Sequence, residues 1–162
     1  MREARVSIVN TRRTGETADW PDILLRAHER IESVSRDRPD IILLSEIFAN
    51  HHGGSPAKVE ELAQAIPGPI SEEMASLAKR FGTYIAFGLL RTTGERRFNS
   101  LVLMDRNGDV AWVYDKVTPV VTEMETLGIS PGAAPRAFDC DFGRVGDAIH
   151  FHINYLDLAD ID

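Results

Sequence analysis

Residues 40–46, DIILLSE, decide the class of fold. Four consecutive apolar residues, Ile41 to Leu44, run into a Ser-Glu pair, and an unbroken run of that kind reads as a strand covered on both faces rather than one with a wet face. Outward from it in the N-terminal direction, residues 19–40 (DWPDILLRAHERIESVSRDRPD) repeat Ile23, Leu24, Ala27, Ile31 and Val34 at helical spacing. Residues 4–10 (ARVSIVN) alternate as a β-branched strand. Strand, helix, buried strand is the opening of an α/β layered fold.

Outward in the other direction, a Gly/Pro/His-rich loop from Asn50 to Pro56 follows the strand, which is expected to end at Glu46. Residues 55–66 (SPAKVEELAQAI) form a short helix opened by Ser55. Residues 69–82 (PISEEMASLAKRFG) form another, with Ser71 as cap, Glu72 and Glu73 in the first turn and Gly82 as stop. Three strands come next, in TYIAFGLL (83–90), RFNSLVLMD (97–105) and DVAWVYDK (109–116), the last two joined at Arg106-Asn107-Gly108 by a hairpin signal. A Pro/Gly-punctuated loop spans Thr118 to Pro135. A strand pair is expected around Phe142-Gly143-Arg144, and residues 155–162 (YLDLADID) read as the start of a helix. The predicted fold is α/β with a mixed sheet.

The chain has 162 residues, 43% of them apolar, enough for one sizeable core, so residues 1–162 read as a single domain. Eighteen basic against twenty-five acidic residues give a net charge of -7 with no basic stripe, which argues against nucleic acid or an anionic membrane as partner. The opening residues lack a long apolar segment, and the expectation is a soluble cytoplasmic protein. Cys140 is the only cysteine, so this chain alone builds no disulfide framework; flanked by Asp139 and Asp141, it reads as structural.

Polar residues at the ends of buried strands are natural catalytic positions in α/β folds, because the scaffold fixes them while loops admit substrate. Glu46, Lys116 and His150 hold such positions. In that order, with DIILLSEIF, ISEEMASLAKRFGTYIAFGLL, RFNSLVLMDRNGDVAWVYDK and SPGAAPRAFDCDFGRVGDAI around them, the chain resembles the nitrilase, or carbon–nitrogen hydrolase, superfamily over nearly its whole length. The resemblance implies that Glu46 is the general base, Lys116 the cation that stabilises the tetrahedral oxyanion, and Glu123 the second carboxylate that orients the site, with Glu125 as the alternative if the loop is shifted. It implies a small linear amide, nitrile or N-carbamoyl compound as substrate and no cofactor. The chemistry suits those residue types: a Glu beside a Lys takes a proton from a nucleophile and returns it to a leaving amine.

Three departures from the family pattern follow. The family's Cys-x-Asp is His150-Phe151-His152 here, so the nucleophile position carries an imidazole and the ordinary reaction is expected to be impaired; Asp147 stands where an apolar residue is usual. Family chains also continue past this elbow to complete a four-layer αββα sandwich, whereas residues 1–162 are expected to hold about half of it. The uncovered sheet face predicts a homo-oligomer. Two alternatives stand beside the hydrolase reading. Two His at i and i+2 on a strand share a face, so His150 and His152 could bind Zn²⁺ with Glu46 or Glu123 completing the set; His51 and His52, in a Gly-rich loop, read as solvated. The other alternative is a non-catalytic assembly module.

Overall fold

The computed structural model describes residues 3–11, 19–51, 53–133, 137–146 and 149. Five strands form one mixed sheet in the order β1 (Val6–Val9), β2 (Ile41–Leu44), β3 (Tyr84–Thr92), β4 (Arg97–Met104), β5 (Val110–Asp115). The first three run parallel and the last two antiparallel. Helix α1 (Trp20–Val34) makes the crossover between β1 and β2; α2 (Pro56–Leu62) and α3 (Pro69–Phe81) make the one between β2 and β3.

Alternation along the strands splits the core in two. Ile42, Leu44, Ile85, Phe87, Leu89, Val102 and Met104 face α1 and α3, whose Ile23, Ala27, Ile31, Ile70, Met74 and Leu77 complete that layer. The helical periodicity read from the sequence therefore identified the buried stripe of α1 correctly. The opposite face carries Ile41, Tyr84, Ala86 and Leu103, with Leu43, Leu101 and Trp112 beside them. Onto this face folds a two-stranded hairpin, β6 (Phe138–Cys140) and β7 (Gly143–Val145), bringing Phe138, Phe142 and Val145 into contact with it. Trp112 and Phe138 stack at 6.1 Å, and Tyr84 meets Phe142 edge-on at 5.3 Å. The face expected to lack a partner layer is thus partly covered by this chain itself.

Three local expectations need correction. The second strand ends at Leu44, not Glu46, because the chain turns over β3 immediately afterwards, with Ile47 at φ 42°. Helix α3 begins at Pro69 with Gly68 as its cap; Ser71 lies inside the first turn, where its Oγ accepts from the Gly68 N–H at 2.9 Å. Proline fills the first helical position, where its missing N–H costs nothing. Asn50, expected in an open loop, is fully buried. Its amide donates to the Leu62 and Leu90 carbonyls and accepts from the Leu90 N–H at 3.1 Å, tying the start of that loop to β3 as a paired strand residue would. Ser55 does cap α2, accepting from the Lys58 N–H at 3.4 Å. The segment 155–162 lies outside the described residues.

Candidate active site

Glu46 reaches the site by crossing a strand. The turn after β2 passes over β3 at Gly88, where a Cβ would stand 2.3 Å from the Ile47 nitrogen and 2.6 Å from the Glu46 Cα. Only a residue with no side chain admits backbone at that distance. The Gly88 N–H donates to the Ser45 carbonyl and its carbonyl accepts from the Phe48 N–H, both at 3.3 Å, so the turn is stitched to β3 on either side of Glu46. A branched residue held at positive φ, as Ile47 is, is uncommon and clusters where function constrains the backbone.

Lys116 follows β5 directly, and its N–H still donates to the Asn99 carbonyl of β4 at 2.8 Å. Its own carbonyl accepts from the Gly132 N–H at 2.9 Å. Behind the sheet, Asp115 is gripped by Arg91 at 2.6 Å and by the Ser100 hydroxyl at 2.6 Å, which fixes the strand end that presents the lysine. Glu123 comes from a single π-helical turn, Thr122–Thr126, a geometry frequent at functional sites. The Pro/Gly-punctuated loop read from sequence contains this turn.

These three side chains meet. The Lys116 ammonium, 2% exposed, donates to Glu46 Oε1 and Glu123 Oε2, each at 3.0 Å. Asn99 on β4 donates to Glu46 Oε1 at 2.6 Å and to Glu123 Oε1 at 2.9 Å, and the Val120 N–H donates to Glu123 Oε2 at 2.8 Å. Burial pushes the Glu123 carboxyl up, but the Asn99 amide, the Val120 N–H and Lys116 outweigh it, so the group titrates below the ordinary carboxylate value. The Glu46 side chain is 36% exposed, because the turn carries it to the rim. Glu125 is exposed, which leaves Glu123 as the second carboxylate.

This assembly of a buried ammonium between two carboxylates, on strands ordered as they are here, comes with a sequence match to the carbon–nitrogen hydrolase family over residues 5–157. The chain belongs to that family. Human omega-amidase NIT2 is 25% identical over 148 residues, covering 86% of this chain and 53% of the relative. The bifunctional nitrilase/nitrile hydratase NIT4A of Nicotiana tabacum is 24% identical over 148 residues, covering 81% and 42%. The chain thus spans about half the length of these curated relatives, or less. Among solved structures, the carbon–nitrogen hydrolase superfamily protein XC1258 of Xanthomonas campestris superposes with a TM-score of 0.82 at 20% identity, covering 96% of this chain and 56% of that one. Saccharomyces cerevisiae Nit3 gives 0.76 at 19%, covering 96% and 59%. The nitrilase-like α/β fold is shared with both.

His150 and His152 lie outside the described residues, as do Asp147 and His52. His51 is exposed, its Nδ1 accepting from the Gly53 N–H at 3.0 Å. Among the described residues there is no cluster of three metal-ligating side chains, and Lys116 stands between the two carboxylates. Cys140 sits on β6 with its thiol pushed up to about 11 by burial and the neighbouring Asp141, and is therefore protonated at neutral pH. Asn99 and Gly88 are the positions at the site that the sequence did not single out. A signal for Asn99 exists: Asn is depleted in strands, and this one shares the inward face with Leu101 and Leu103.

Proposed function

We propose that this chain carries the proton-transfer and oxyanion-stabilising half of a carbon–nitrogen hydrolase site, of the kind that acts on small linear amides, nitriles or N-carbamoyl compounds. The observation that carries the reading is the buried Lys116 ammonium held at 3.0 Å by both Glu46 and Glu123. Glu46, exposed at the rim, is the general base: it takes the proton from the nucleophile and returns it to the leaving amine. Lys116 spends two of its N–H groups on carboxylates, and the third is free among the described residues to meet the negative charge that develops on the tetrahedral oxygen. Glu123 keeps the ammonium aimed. Its three donors hold it as an anion, so it serves as counter-charge rather than as base.

Residue 150 is the nucleophile position in this reading, and the chain places an imidazole there. A thiolate forms a thioester that water cleaves, whereas an imidazole differs in reach and geometry, so turnover is expected to be slow or absent. The test replaces His150→Cys and His152→Asp together and challenges both proteins with a thiol-directed amide or nitrile probe. Covalent labelling at residue 150 in the double variant and none there in the parent supports the reading. A folded double variant that stays unlabelled at residue 150 overturns it.

A further inference from the structure

Asn99 touches both carboxylates and has no part in the roles assigned so far. The residue is 1% exposed and sits on β4, facing the same side of the sheet as Lys116, its neighbour across the pairing with β5. Each N–H of its amide goes to a different carboxylate, Glu46 Oε1 at 2.6 Å and Glu123 Oε1 at 2.9 Å. Its own Oδ1 is buried and accepts no hydrogen bond among the described residues. An orphaned buried acceptor is destabilising, and a residue present only to tie strands together would turn its oxygen onto a donor. Here the reverse orientation would set Oδ1 against two groups that only accept. The two carboxylates therefore dictate the orientation of the amide, at the expense of its own oxygen.

The donors are shared unequally. Glu123 receives three hydrogen bonds spread over both oxygens, from Asn99, Lys116 and Val120. Glu46 receives two, both on Oε1. Among the described residues nothing donates to Glu46 Oε2. The other charged groups nearby are already engaged: Arg97, on the same strand, donates to Glu60, and Arg91 and Asp115 pair on the opposite face.

We propose that Asn99 is a positioning residue of this site: by bridging Glu46 and Glu123 it holds both against Lys116, keeps Glu123 as the permanent counter-charge and leaves Glu46 Oε2 to exchange the proton. This rests on the reading of Glu46 as general base. The lowered titration of Glu123, to which the Asn99 amide contributes once burial is overcome, agrees with the geometry.

The test is nuclear magnetic resonance on the full chain as it stands, labelled with ¹³C at the glutamate carboxyls and ¹⁵N at the asparagine side chains, with Glu123 assigned by loss of its signal in Glu123→Gln. In the parent, the Asn99 side-chain amide signals should move with the Glu123 carboxyl as pH falls. In Asn99→Leu, the Glu123 midpoint should move up towards the ordinary carboxylate range. A folded Asn99→Leu protein with an unmoved Glu123 midpoint overturns the proposal, and so do parent Asn99 amide signals that ignore the Glu123 titration. The parent measurement decides alone if the variant does not fold. Neither readout needs turnover: a confirmed bridge in a chain whose thiol-bearing variant stays unlabelled removes the hydrolase reading and leaves the bridge, and the opposite pair of results does the reverse.

Discussion

The environment of the Glu123 carboxylate has a consequence for stability. With its folded pKa below its unfolded one, it contributes stability that is fully present above the unfolded value of about 4.3 and is lost as pH falls through the lower folded value. Glu123→Gln removes that contribution and one partner of a buried ammonium, so it should destabilise the chain at neutral pH by roughly 1–3 kcal/mol. The gap between parent and variant should close as the pH is lowered from about 4.3. Thermal melts of both proteins from pH 7 to pH 3 measure it, and a gap independent of pH would mean that the carboxylate is not held as an anion. At this scale, Glu46, Lys116 and Glu123 were legible through the family resemblance of the segments around them. For Asn99 only the oddity of an Asn inside a strand was legible, because its meaning lies in two carboxylates brought to it from distant parts of the chain.

At the scale of elements, the site depends on a turn pressed against a strand. Gly88→Ala would put a methyl group 2.3 Å from the Ile47 nitrogen, against backbone that cannot swing aside as a side chain would. The turn after β2 must lift and take Glu46 with it. The expected result is a loss of about 1–3 kcal/mol of stability together with loss of the Glu46–Lys116 contact, read from melts and a structure of the variant. An unshifted turn at unchanged stability would show that β3 gives way instead. The elements themselves were legible because their periods are clean: α1 and α3 repeat apolar residues every three to four positions, and β3 to β5 are bounded by turn residues. The turn geometry was not, since YIAFGLL reads as an uninterrupted strand whether or not another segment crosses its glycine. The same holds for the π-helical turn under Glu123, where no local pattern in VVTEMETL marks the extra residue.

At the scale of the whole molecule, the described residues leave part of one sheet face open. The β6–β7 hairpin covers the Tyr84–Trp112 side, and between hairpin and sheet lies a cleft of about 580 Å³ lined by Val6, Leu43, Ala86, Leu101, Leu103 and Trp112. On the edge strand β1, Val6 is 51% exposed and Ile8 78%. Apolar surface continuous with a core in this way favours burial against another surface, and a two-fold pairing of identical faces is the simplest way to achieve it. We expect self-association at micromolar concentration, weakened by Ile8→Lys, with light scattering as the measurement. A monodisperse monomer in both proteins would show that the face needs no partner. The layered class and the helix-covered face were readable from sequence. The hairpin folding back onto the other face was not, because its short strands carry too few residues to show which sheet they join.

The depth at which Lys116 lies has a further use. The lysines of this chain are Lys58, Lys79 and Lys116. Lys58 is 52% exposed and Lys79 lies on the outer side of α3, whereas Lys116 is sealed at 2%. An amine-acylating reagent applied to the folded chain should therefore modify residues 58 and 79 and spare residue 116, as peptide mass mapping would record. Acylation needs reagent to reach the amine, and the Lys116 amine is occluded, with Glu46 and Glu123 each 3.0 Å away. Its protection is a built-in gauge of whether the site is assembled, readable without any substrate.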